Sequence, residues 1–127
     1  MEYNKILTML SSYAACDETK KRCLSLEPIT DLYEIRHLQT TTADALSRLY
    51  KDSGVSFVGI HNVHASLKRL DIGGALNTTE LLRICSLLEV AKRVKAYGRS
   101  AMDNEKQDSL SGLFSGIETG FCALRRD

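Results

Sequence analysis

Tryptophan is absent from this chain and proline occurs once, at Pro28. With so few breakers, and with Leu, Ala, Lys, Glu and Arg plentiful, helix is the expected backbone state. No apolar run approaches the roughly 18 residues that a membrane span requires. Met1-Glu2-Tyr3-Asn4-Lys5 is not the basic start and apolar core of a secretory leader. No CxxC pair occurs, and Cys16, Cys23, Cys85 and Cys122 are scattered. That spacing is neither a disulfide framework nor a zinc site, so it predicts reduced thiols in a cytoplasmic protein, most of them small core residues. An excess of one charge is missing too. The net charge of +1 neither demands a nucleic-acid partner nor excludes one, because a local patch can hide in a neutral total.

What is present suits one helical domain over residues 1–127. The composition, 43% hydrophobic and 26% charged, lies near the globular average. Tyr3, Ile6, Leu7, Leu10, Tyr13 and Ala14 recur at steps of three and four, which predicts a helix over about 2–15. A short helix follows from Asp17 to about Leu26, and Pro28 ends it. Thr30-Asp31 opens a long helix to about Tyr50, with Leu32, Ile35, Leu38, Thr42, Ala45, Leu46 and Leu49 on its apolar face. Its charges read as a solvated face, with Asp44 and Arg48 one turn apart as a weak surface pair. Val55-Ser56-Phe57-Val58 reads as a loop tucked under the bundle. Ile60, Val63, Leu67 and Leu70 mark a short helix that Gly73-Gly74 stops. Asn77-Thr78-Thr79-Glu80 is a capping box for a helix that carries Leu81, Leu82, Ile84, Cys85, Leu88, Ala91 and Val94 and ends near Tyr97-Gly98. A polar linker over about 99–107 precedes a last helical stretch with Leu110, Leu113, Phe114 and Ile117. The expectation is an all-α, irregular bundle of about six helices.

Chemistry is hard to place on this frame. Gly73-Gly74 comes nearest to a phosphate loop, but no lysine follows at the required step. His61 and His64 are three apart, yet two ligands without a third make a weak metal site, and polarity at a helix start explains them equally. Gly112-Leu113-Phe114-Ser115-Gly116 shares only part of a nucleophile elbow and lies in an apolar helical run. The expectation is a chain with no catalytic, cofactor-binding or metal-binding residue.

Charge gives one positive signal. From Lys68 to Arg99 there are seven basic residues and three acidic ones. Lys92, Arg93, Lys95 and Arg99 are the candidate nucleic-acid contacts, because Lys92, Lys95 and Arg99 follow helical spacing and face phosphates well from one side. The competing reading is that cations favour a helix C-terminus, whose free carbonyls are partly negative. No aromatic residues are interleaved to stack bases.

Three stretches carry a resemblance: Glu2-Tyr3-Asn4-Lys5-Ile6-Leu7-Thr8-Met9-Leu10-Ser11-Ser12-Tyr13-Ala14, then Leu26-Glu27-Pro28, then Gly59-Ile60-His61-Asn62-Val63 through Ile72-Gly73-Gly74-Ala75-Leu76 and on to Leu82. In this order the chain resembles the N-terminal region of the MutS family of DNA-mismatch-repair ATPases, most closely the bacterial MutS-two branch. The resemblance covers about nine-tenths of the chain. It implies part of the core or lever region, set between an ATPase with its phosphate loop and a nucleic-acid clamp. The parent would carry ATP and Mg²⁺, an Smr nuclease domain, and roles in suppressing recombination or splitting collided ribosomes. No family catalytic residue maps onto this chain. The implied partners are the rest of such an ATPase, or a second copy through exposed apolar faces, with DNA or ribosome beyond. A freestanding interaction module from a truncated relative is the alternative. After Glu118 the string departs from the family, and 119–127 reads as a divergent or disordered tail.

Overall fold

The computed structural model describes residues 2–100 and 107–117. Among them are six helices and no strand: α1 (Tyr3–Ser12), α2 (Asp17–Leu24), α3 (Leu32–Lys51), α4 (His64–Asp71), α5 (Thr78–Ser100) and α6 (Ser111–Ser115). The chain is all-α, as its periodicity predicts. The stretch 119–127 lies outside the described residues, as does most of the proposed linker. Two compact units are found, Met1–Glu27 with Phe57–Val90, and Pro28–Ser56 with Ala91–Asp127.

In the first unit α1 packs on α2. Leu7 supplies the buried contact of α1, and the Tyr3 hydroxyl donates to the Leu26 carbonyl at 2.9 Å. The Glu80 amide donates to Asn77 Oδ1 at 2.8 Å while Glu80 Oε2 accepts from the Asn77 amide at 2.9 Å. This is the reciprocal cap that the sequence announces. Glu80 also accepts from Ser66 and Arg69 of α4, so one carboxylate caps α5 and ties α4 to its start. Gly73 closes α4 with φ +81°, a left-handed conformation that glycine adopts without a Cβ penalty.

In the second unit, Asp31 caps α3 by accepting from the Glu34 amide at 2.8 Å. Near the other end of that helix Arg48 is 7% exposed, which corrects the reading of its charge as part of a solvated face. Its guanidinium turns away from Asp44 to Asp108, with Nε–Oδ2 at 2.5 Å and Nη2–Oδ1 at 2.6 Å. A carboxylate offered in bidentate geometry is a stronger partner than one placed a turn away on an exposed helix. Asp44 instead accepts from the amide and hydroxyl of Ser109.

The apolar stripes are there, and many of their residues are uncovered. Ile6, Met9 and Leu10 of α1 and Tyr13 just past its end are exposed, and on α3 so are Leu32, Leu38, Leu46 and Leu49. Phe57 and Val58 are exposed rather than tucked in, and so is Cys85, while Cys16 and Cys23 are half-buried. Cys122 lies outside the described residues. Period-three-and-four spacing fixes which side of a helix is apolar, and says nothing of what lies against it.

Candidate functional site

The basic residues sit where α5 turns its buried face away. Val90, Val94 and Tyr97 are buried at steps of four and three, so they define one side of the helix. At 100° per residue, Lys92, Lys95 and Arg99 fall within an arc of about 60° on the opposite side, and Arg93 lies further round. Lys92, Arg93 and Arg99 are exposed and Lys95 is half-buried. The helix dipole accounts for Arg99, which lies in the last turn. It does not account for Lys92 and Lys95, because the effect fades within one turn.

Lys95 and Arg99 also border a small cleft of about 230 Å³, completed by Gly98, Phe114 and Ser115. Gly98 makes this cleft possible. A Cβ there would lie within 2.5 Å of Phe114 Cγ, so only glycine lets α6 approach the last turns of α5 this closely. Phe114 is held on two further sides. Its ring meets Tyr97 edge-on at 5.9 Å and lies under the Arg48 guanidinium at 4.7 Å. The Tyr97 hydroxyl donates to the Asp52 carbonyl at 2.9 Å. Ser111 accepts from Arg48 and donates to Asp108. The Arg48 guanidinium holds the Asp108 carboxyl well below the usual carboxylate range, and Arg48 is itself pushed up chiefly by that bond. Sequence reasoning missed Gly98, Phe114 and the Arg48–Asp108 pair as parts of one assembly. The pair joins residues 60 apart in sequence, with no local pattern to signal it.

A larger cleft of about 620 Å³ lies in the first unit, lined by Cys16, Asp17, Glu18, His61, Asn62, His64 and three apolar residues. Hydrogen bonding to Thr19 draws the Cys16 thiol below its ordinary pKa. Asn62 accepts from the His64 amide and donates to Glu18, which gives the polar start of α4 a local structural role. Among the described residues no three metal-ligating side chains are placed to share an ion. The Gly73 and Gly74 amides donate to Leu70 and Arg69 carbonyls. Those two donors are spent on ending a helix and are not free to meet a phosphate.

No helix among the described residues is long and apolar enough to cross a membrane. The sequence is 98% identical over 118 residues to the endonuclease MutS2 of Agathobacter rectalis, a match covering 93% of this chain and 15% of that protein. It is 39% identical over 119 residues to the endonuclease MutS2 of Lachnospira eligens, covering 94% of this chain and 14% of the relative. To the endonuclease MutS2 of Shouchella clausii it is 40% identical over 97 residues, covering 76% of this chain and 12% of the relative. No family model and no solved structure matches it.

Proposed function

The chain belongs to the MutS2 family, as a segment that spans about 15% of the length of its relatives, and on that premise we propose that it is a non-catalytic helical scaffold. In this reading its apolar faces dock against the remainder of a MutS2-type ATPase, between the nucleotide-driven domain and the nucleic-acid clamp. Lys92, Arg93, Lys95 and Arg99 lend a secondary contact to nucleic-acid phosphates.

One observation carries the reading. Ile6, Met9 and Leu10 of α1 and Tyr13 just past its end recur at steps of three and four, and all four are exposed. A regular apolar stripe on a formed helix is a surface built to be covered. In relatives some seven times as long as the match, most of the polypeptide lies outside this segment and supplies the cover.

The test is reconstitution. The chain is coexpressed with the Agathobacter rectalis MutS2 from which the matching segment has been removed. The expected result is co-purification in equal amounts, weakened by Ile6→Glu with Met9→Glu. A chain that is helical by circular dichroism yet does not associate would sink the scaffold reading. Self-association in place of complex formation would favour the interaction-module alternative.

A further inference from the structure

We infer that the cleft lined by Lys95, Gly98, Arg99, Phe114 and Ser115 is a phosphate subsite that takes the backbone of a nucleic acid without reading its bases. The inference rests on the reading of the α5 basic face as a nucleic-acid contact, and it assigns that contact to particular residues.

Three features converge on it. First, Lys95 and Arg99 are like charges one turn apart, an arrangement that disfavours a helix. No carboxylate lines the cleft among the described residues, so an anion supplied from outside would offset that repulsion. The nearby carboxylate of Asp108 is already neutralised by Arg48. Second, the cleft is shaped rather than flat. Phe114 packs on Gly98 to form one wall, and α5 carries the cations on the other. At about 230 Å³ it falls below the range of about 300–1,000 Å³ usual for pockets that enclose larger ligands, and suits a phosphate with its sugar. Third, the aromatic wall is not free for stacking. One face of Phe114 is under Arg48 and its ring engages Tyr97. The Ser115 hydroxyl donates to the Gly112 carbonyl, and Ser100 caps the Tyr97 carbonyl. The cleft therefore offers a ligand two cations beside an apolar wall, with no free hydroxyl and no free ring face, which suits a phosphate, the group most protein–nucleic-acid contacts address.

The experiment is fluorescence anisotropy on the full chain with labelled DNA duplex, single-stranded DNA and RNA duplex, from 50 to 200 mM salt. Lys95→Gln with Arg99→Gln, both changes on the helix surface, should lower affinity at least tenfold at the lower salt. They should also flatten the dependence of log K on log salt by about 1.8 on duplex DNA and about 1.4 on single strands. Lys68→Gln with Arg83→Gln, which removes equal charge elsewhere, should leave the slope unchanged. Gly98→Ala keeps every charge but pushes Phe114 away, and should weaken binding severalfold with helicity retained. Changing base sequence should have no effect, and comparison of the DNA and RNA arms identifies the preferred backbone. If binding persists with an unaltered slope in the Lys95/Arg99 variant, the subsite is wrong while a nucleic-acid contact elsewhere stands. Absence of binding to all three probes at 50 mM salt overturns both.

Discussion

Glu80 and Asp108 hold similar positions in the two compact units but reach them differently. Glu80 gathers donors from its own neighbourhood, from Asn77 three residues back and from Ser66 and Arg69 on the preceding helix. Asp108 takes its principal partner, Arg48, from 60 residues away. Arg48 is buried and the Asp108 side chain is 23% exposed, whereas Arg69 opposite Glu80 is 47% exposed. A carboxylate that closes a local turn can lose its partner to water at small cost, whereas one that neutralises a buried guanidinium cannot.

The largest consequence is for Asp108. Asp108→Ala leaves Arg48 buried without its counter-ion, and such a loss costs about 3–5 kcal/mol. Urea denaturation should show the midpoint falling accordingly. Among the described residues Arg48 Nη1 has no hydrogen-bond partner, so the guanidinium has little in reserve. Replacing both partners, Arg48→Met with Asp108→Leu, should recover most of the loss, since a packed apolar pair carries no desolvation penalty. A double variant as unstable as Asp108→Ala would mean that the ion pair itself, and not the stranded charge, sets the cost.

The same contrast extends to pH. Both carboxyls lie below their ordinary values in the folded chain, Glu80 chiefly through the Asn77 amide and Asp108 chiefly through Arg48. A carboxylate depressed by folding contributes its full stabilisation above its unfolded pKa and loses it as pH falls towards the folded value. The ordinary values are 4.5 for Glu80 and 3.8 for Asp108. Stability should therefore be flat above about pH 5 and decline below it. Because Asp108 is displaced further, its share of the decline should extend to lower pH. Asp108→Asn should flatten the acid limb more than Glu80→Gln does when unfolding is followed from pH 6 to pH 2.5. Equal flattening would remove the distinction between the two carboxylates.

How much of this was legible in the sequence follows from the same distances. The caps at Asp31 and Asn77 and the stop at Gly73 could be read because their partners lie within a few residues. The grouping of Lys92, Lys95 and Arg99 on one side of α5 could be read from helical geometry alone. Arg48 could not, since its nearest carboxylates in sequence are Asp44 and Asp52 and its actual partner follows a separate stretch of chain. Nor could the cleft, which depends on Gly98 meeting Phe114. The stripe on α1 was legible as apolar, but what covers it was not, because periodicity identifies a face without identifying its partner. Helix α5 also runs on to Ser100, past the expected end at Tyr97-Gly98, because Gly98 can remain helical where it is packed.

The smallest effect belongs to the most legible feature. Asn77→Ala removes the side-chain acceptor of the Glu80 amide and should cost about 1 kcal/mol, the usual value for an N-cap. The backbone of residue 77 is kept, so its amide can still donate to Glu80, and Ser66 and Arg69 still hold that carboxylate. Half of the reciprocal cap therefore survives, and α5 should fray only at its first turn. Hydrogen exchange should accelerate at Thr79 and Glu80 while Val90 and Val94 stay protected. If exchange rose along the whole helix, the Asn77 cap would be organising the first unit as Arg48–Asp108 organises the second, and the contrast between a local and a long-range carboxylate would fail.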